Sequence, residues 1–456
     1  MSEERGFKLL VIAFVLTLPL VTPQIRGADE IEYFSYLRSA VIDRDLDFDN
    51  EYRYFYERDP EGLAGFHATF LERAEPRTGR RINFAPMGTA LLWSPFYLLT
   101  HGGVLASHAA GMSIEADGFA GPYLASVGYA SALYGFLGLL LIYDGLIRWA
   151  GARAEHAVLA VLALWFGTPV IYYMTLAPGF SHACSLFAVS LIVWLSGRLA
   201  ARPGARATEW LAAGAAVGVA GLIREQDALF GVVPAGIWLV QAIDRRKPRE
   251  TVERALALGG TAFLAFFPQL LAYRAINGSF GPSGLVARKM SYSSPHFLEV
   301  LFDPGHGLVV WSPLLLLAGI GLAVRLRRDA TPLAWSLVAA LLLQVWINGS
   351  VESWSQAGAF GSRRFVATSV VFAWGLTTLI DLTTRHGGRA VIAVSLAVCV
   401  WWNLSLMVQF GLRLMNRQRL EWPEVAVNQV VLVPRHLGRA TLLFFTDRER
   451  LVRESR

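Results

Sequence analysis

The chain has 456 residues, of which 54% are hydrophobic and only 17% charged. Soluble domains carry about 25% charged residues, so this composition excludes a soluble globular protein and specifies a polytopic membrane protein. The formal net charge of +6 collects in short loops between apolar runs, which reports membrane orientation and argues against a nucleic-acid partner.

A crossing helix needs roughly 20 apolar residues. The first run, 7–23, is followed by no A-x-A cleavage pattern and reads as a retained anchor. A long polar segment, 24–121, comes next. It opens with Asp29-Glu30 and Glu32, placed at the mouth of the bilayer where a carboxylate is costly to desolvate and useful for chemistry. Tyr33, Phe34, Leu37, Val41 and Ile42 recur at helical spacing, which predicts an amphipathic surface helix with Asp29 at or near its N-cap. Capping is a sufficient reason for an aspartate there, and chemistry is the competing one. The run Asp43 to Glu51 is acidic but lacks an EF-hand's glycine and distal glutamate, so it reads as a solvated surface stretch. No metal ligand set is read from it, although the acids leave room for a divalent cation near Asp29.

Further apolar runs lie at 122–147, 156–176, 180–198, 208–223, 228–243, 255–275, 307–324, 331–347, 364–382 and 390–410. With the anchor they make about eleven spans. One more run, 84–105, is ambiguous. The loops 148–155, 198–207, 244–254, 325–330 and 383–389 are rich in arginine, whereas the alternate loops carry only Arg224, Arg288, Lys289 and Arg363. The basic set is therefore read as cytoplasmic, with the N-terminus (Arg5, Lys8) on the same side. An even number of crossings must then separate the N-terminus from loop 148–155. Segment 84–105, with Pro86, Pro95 and Gly102-Gly103, is accordingly expected to lie in the outer interface as a re-entrant or surface helix. Residues 1–410 form one membrane domain in this reading. The tail 411–456 is extracytoplasmic and is expected to add a short helix at 428–433 and a strand at 440–445.

The outer corners hold the remaining candidates. Arg224-Glu225-Gln226-Asp227 separates two short apolar helices, where a bare turn would need only glycine or asparagine. Arginine's planar fork suits phosphate, and pairing of Arg224 with Glu225 or Asp227 as a helix-end cap is the alternative. Loop 348–363 is rich in Gly and Ser and ends in Arg363-Arg364 at the outer start of a helix, where the dipole favours an anion; snorkelling arginines are the alternative. Loop 276–306 could act as a lid. His182 begins a span and is either a helix-end hydrogen bonder or a site residue. Cys184 and Cys399 lie in apolar runs and read as packing residues. No Walker A, Rossmann, H-E-x-x-H or G-x-S-x-G pattern occurs.

The order of these parts resembles the GT-C class of polyprenyl-phosphate-dependent glycosyltransferases. Within it, the sequence is similar to the bacterial group of protein O-mannosyltransferases, aminoarabinose transferases and rhizobial lipopolysaccharide-core transferases. The resemblance is carried by Asp29-Glu30 after one span, the interfacial segment from Asn83 to Thr100, the span pairs with short basic loops, Leu301 to Leu308 with Trp311-Ser312-Pro313, and Gly361-Ser362-Arg363. It covers residues 1 to about 410. It implies an all-α, GT-C-like multi-pass protein of the bacterial cytoplasmic membrane with its active site facing the exterior. The implied partners are a polyprenyl-phosphate sugar donor, a lipid, glycan or protein acceptor, and membrane lipids. Asp29 would match the family's essential first-loop aspartate and Glu30 its neighbour. The Lys-Pro-Pro element of aminoarabinose transferases is replaced here by Asn83-Phe84-Ala85-Pro86, and Ser181-His182 stands where many members place an aspartate. Donor-phosphate binding would then fall to Arg80, Arg81, Arg224 and Arg363, with Arg364, His182 and Glu225 beside them. A lipid or polysaccharide flippase or transporter is the competing class; spans nearly free of charge, with polar clusters gathered at one face, favour a one-sided enzyme.

Overall fold

The computed structural model describes residues 1–58, 64–245, 247–293, 295–356, 358–448 and 450–451. Arg246 of the basic loop 244–254 and Ala357 of loop 348–363 lie outside them. The described chain is helical throughout, with only the isolated bridges Ala74–Arg81 and Met290–Val351. Among the described residues, 7 helices are long and apolar enough to cross a membrane: Gly121–Arg148, His182–Ala201, Glu225–Asp244, Pro248–Asn277, Pro332–Gly349, Arg363–Arg385 and Arg389–Gly411. Ala154–Gly167 and Ala207–Ile223 are apolar but shorter.

Proline accounts for two of the differences from a simple span count. The run 156–176 breaks at Thr168-Pro169 into Ala154–Gly167 and Val170–Thr175, and the run 307–324 breaks at Ser312-Pro313 into Leu308–Trp311 and Leu314–Arg328. Proline lacks an N–H and drives the preceding residue out of the α region. The ambiguous segment forms an unbroken helix, Gly88–Ala109, with Pro95 inside it and Leu91, Leu98, Leu99 and Leu105 exposed.

Close helix crossings hold the bundle together. Gly214 and Gly218 face the carbonyls of Leu258 and Ala262, and Gly321 faces the backbone of Gly375. A Cβ at any of these glycines would meet a neighbouring backbone, so small residues set the interhelical distance here.

The first long loop departs from the amphipathic reading. Helix Ala28–Arg38 is buried along nearly its whole length and does not lie on a surface. Its aromatic residues are covered from every side: Tyr33 by Trp93 at 6.4 Å, Phe34 by Phe55 at 5.6 Å and Tyr97 at 6.1 Å, and Tyr36 by Phe48 at 5.1 Å. The apolar spacing was real, but the rest of the loop supplies a second apolar layer above it. The acidic run is likewise not simply solvated. Arg38 Nη1 pairs with Asp43 at 2.5 Å and with the fully buried Glu51 at 2.7 Å, and Asp49 takes Arg53 and Arg81. These acids close the loop over the buried helix.

The tail corrects a further expectation. Residues 428–433 and 440–445 fall in two helices, Trp422–Val430 and Leu432–Thr446, and no strand forms. Val425 is buried in the first of these helices, and Val433 and Leu443 in the second. Arg448 then donates to the carbonyls of Pro19 at 3.0 Å and Val21 at 3.3 Å, tying the tail to the end of the first helix.

Candidate active site

Two carboxylates that are neighbours in sequence have separate surroundings. The N-cap of helix Ala28–Arg38 is Gly27, not Asp29. Glu30 reaches back so that its Oε2 accepts from Arg26 N and Gly27 N, each at 2.7 Å. Those bonds satisfy two of the amides that a helix start leaves orphaned. Glu30 is 3% exposed, and burial pushes its carboxyl up to about 7 against the opposing pull of the two amides.

With capping assigned to Glu30, the Asp29 carboxylate is left to project. Its Oδ2 lies 2.8 Å from Arg363 Nη1, and its side chain remains 43% exposed. Arg363 also lies over the Phe180 ring, at 5.1 Å from the centroid. The element that carries it differs from the sequence reading: Arg363–Thr368 is a 3₁₀ turn, and the α-helix begins only at Ser369. Gly361 precedes it at φ +60°, a left-handed conformation that glycine adopts without strain.

The corner at 224–227 meets the same region. Arg224 Nη1 is 3.0 Å from His182 Nδ1, and its Nη2 donates to Gln226 Oε1 at 3.1 Å. Because a guanidinium can only donate, Nδ1 accepts and the His182 proton sits on Nε2. That Nε2 is buried without a partner. The internal cap is not formed: Glu225 accepts from the Tyr273 hydroxyl, and Asp227 accepts from the Ser185 hydroxyl.

A glutamine interlock joins this corner to the second arginine. Gln226 Nε2 donates to Gln344 Oε1 and to the Arg364 carbonyl, both at 3.1 Å, while Gln344 Nε2 returns a bond to Gln226 O at 2.8 Å. Arg364 N donates to Gln356 Oε1 at 3.0 Å, and its Nη2 donates to Ser353 Oγ at 3.0 Å. Its Nη1 is buried with no partner. Ser181 Oγ donates to the Tyr33 hydroxyl at 2.9 Å, which fixes the His182 corner against the helix that bears Asp29.

Asp29, His182, Arg224, Arg363 and Arg364 therefore belong to one connected set of contacts. Arg80 and Arg81 do not join it. Arg81 is taken up by Asp49 and by the carbonyl of Leu71 at 2.5 Å, and Arg80 reaches the carbonyl of Leu46 at 3.5 Å. They brace the first loop. Gln344 was missed by sequence reasoning, and Glu32 and Lys289, both noted in the sequence, were given no place in the site. Glu32 is 5% exposed, accepts from Phe84 N at 2.5 Å, and is held well above the carboxylate range by burial and then by the Asp29 charge. Lys289 lies over the Phe84 ring at 5.3 Å, on the element that lacks a lysine of its own. Gln344 could have been found as the lone amide in Leu341-Leu342-Leu343-Gln344-Val345. Among the described residues no three His, Cys, Asp or Glu side chains gather as a metal ligand set.

Comparison with known proteins gives a fold and no sequence family. No protein-family model matches the chain, and no curated protein matches it in sequence. Among solved structures it is similar to ArnT from Cupriavidus metallidurans bound to undecaprenyl phosphate, with TM-score 0.55 and 17% identity, over 99% of this chain and 76% of that one. It is also similar to the archaeal oligosaccharyltransferase AglB from Archaeoglobus fulgidus in complex with an inhibitory peptide and a dolichol-phosphate, with TM-score 0.47 and 13% identity, over 98% of this chain and 56% of that one. The chain thus has the all-α, polytopic GT-C fold of ArnT.

Proposed function

We propose that the protein is a membrane glycosyltransferase that moves a sugar from a polyprenyl-phosphate donor to an acceptor hydroxyl at the outer face of the cytoplasmic membrane. One observation carries this reading. Among the described residues, the guanidinium charges of Arg224, Arg363 and Arg364 act on one another beside one ion-paired carboxylate, Asp29. Among the described residues, the guanidiniums of Arg224 and Arg364 have only neutral hydrogen-bond partners, His182, Gln226 and Ser353. Such a surplus of positive charge, with donors left over on His182 and Arg364, suits a phosphate. ArnT, which shares the fold, is crystallised with undecaprenyl phosphate.

The chemistry follows from the two kinds of group. The prenyl tail stays in lipid, and the sugar phosphate enters sideways. The arginines hold the phosphate and stabilise the charge that grows as the bond from the anomeric carbon to the phosphate oxygen breaks. Arg363 orients Asp29 through Oδ2, which leaves Oδ1 to take the proton of the acceptor hydroxyl as its oxygen attacks the anomeric carbon. One-step displacement inverts that carbon. Glu30 is a positioning residue, since its carboxylate is engaged by the backbone. A multi-pass flippase would need no base at Asp29. The test is sugar transfer by the purified protein in proteoliposomes that contain a polyprenyl-phosphate sugar. Loss of transfer in Asp29→Asn supports the reading, and turnover equal to wild type removes it.

A further inference from the structure

Two landmarks fix the level at which the tail runs. Trp422 stacks on Trp402 at 5.2 Å, and Gln429 Nε2 donates to the Trp402 carbonyl at 3.4 Å. Trp402 Nε1 in turn donates to the carbonyl of Trp311 at 3.2 Å. Trp311 stands just before helix Leu314–Arg328, at the end opposite its basic turn of Arg325, Arg327 and Arg328. Tryptophans at such an end sit at headgroup level. Helix Trp422–Val430 therefore meets helix Arg389–Gly411 near the membrane boundary. The second landmark is the far end of the tail. There Arg448 donates to the carbonyls of Pro19 and Val21, just beyond the first helix, Glu3–Thr17. Helix Leu432–Thr446 runs between these two points, along the membrane surface.

The sides of this helix differ. Residues advance by about 100° around an α-helix. Val433, Ala440, Leu443 and Phe444 share the side turned to the protein, and Val433 and Leu443 are buried. Pro434, Gly438, Leu442 and Phe445 share a second side, where Leu442 is 63% and Phe445 54% exposed. Arg435, Arg439 and Thr446 share the third, and all three are exposed. The helix carries two arginines and no carboxylate. An apolar side left open is costly in water, and a basic side is costly in hydrocarbon. A helix lying in the interface satisfies both. Through Arg448 it adjoins the first helix, whose Ile12, Val15 and Leu16 are likewise exposed.

We infer that helix Leu432–Thr446 is a membrane-seated strap, with Leu442 and Phe445 in the acyl boundary of the leaflet on the Asp29 side and its arginine side on anionic phospholipid headgroups. The strap grips Pro19 and Val21, and the segment it grips leads to Gly27, the N-cap of the helix that bears Asp29. Lipid charge thereby reaches the linker that sets the position of Asp29. The tail is then part of the membrane domain's surface and not a separate outer appendage.

The test is spin labelling of the full chain in lipid nanodiscs. Leu442→Cys, Phe445→Cys and Arg435→Cys each receive a nitroxide, and the wild type, whose Cys184 and Cys399 are buried, is the labelling control. Collision with oxygen should exceed collision with nickel EDDA by roughly tenfold at 442 and 445, and the order should reverse at 435. Equal collision with both reagents at 442 and 445 overturns the seat. Spin–spin broadening at 442 would show a second copy of the chain on this side and overturn it too. Amide exchange between Leu20 and Gly27 should be about tenfold slower in phosphatidylglycerol discs than in phosphatidylcholine discs. Arg435→Gln with Arg439→Gln should remove that difference and leave the thermal transition in detergent unchanged. A difference that persists in this variant overturns the headgroup contact.

Discussion

Asp29 Oδ2 and Arg363 Nη1 lie 2.8 Å apart, although one stands in the loop after the first helix and the other at the start of the span Arg363–Arg385. The pair joins the candidate base to the candidate phosphate clamp. Arg363→Lys keeps the charge but loses the fork that serves Asp29 and an anion together. Transfer in proteoliposomes should fall at least tenfold in Arg363→Lys and by about 10²–10⁴ in Asp29→Asn, the range of a general base. If Arg363→Lys transfers as wild type does, the guanidinium geometry plays no part.

Glu30 should affect stability before chemistry. Removing its carboxylate in Glu30→Ala frees the amides of Arg26 and Gly27, at a cost of about 1 kcal/mol for a lost cap. Glu30→Gln keeps one acceptor oxygen and should lose less. Thermal melting and the kcat of the folded fraction separate the two effects. A kcat as low as that of Asp29→Asn would place Glu30 in the reaction.

The protein should be more stable in mild acid. Burial raises Glu30 from an ordinary 4.5 to about 7, and burial likewise raises Glu51 to about 7. A carboxyl whose folded value is raised contributes its stability below its unfolded pKa and loses it as pH rises through the folded value. The unfolding free energy should therefore fall between pH 4.5 and about 7, by on the order of 3 kcal/mol for Glu30, and the melting temperature should fall with it. Glu30→Gln should flatten that slope, and an unchanged slope would assign it elsewhere.

The glutamine interlock should couple the two arginine corners. Gln344→Leu removes one acceptor of the Gln226 amide and the donor to the Gln226 carbonyl, and leaves the bond from Gln226 to the Arg364 carbonyl as the only one of the three that remains. Leaving such buried groups unmade costs roughly 1–3 kcal/mol. The KM for the polyprenyl donor should rise with little change in kcat. A double cycle with Gln226→Leu should show coupling, and strict additivity would mean that the corners act separately.

Much of the protein could be read from local signals. Apolar runs and loop arginines act residue by residue, so they disclosed a polytopic membrane protein without a structure. The Arg224 corner and Arg363-Arg364 stood out because polar groups at a membrane edge are costly. The fate of Asp29 was less legible. Whether Asp29 or Glu30 caps depends on the helix starting one residue after Gly27, a boundary that sequence fixes only loosely. Arg80 and Arg81 looked equivalent to the site arginines, and only the position of Asp49 decided that Arg81 serves the loop.

Composition and charge pattern determined that this chain is a multi-helix membrane protein, because hydropathy adds along the chain whatever the helices do next. The tertiary structure alone decided that Asp29, His182, Arg224, Arg363 and Arg364 meet while Arg80 and Arg81 stay apart. That outcome rests on glycine-mediated helix approach and on an aromatic layer over helix Ala28–Arg38. Both are contacts between residues distant in sequence, whose partners no local pattern names.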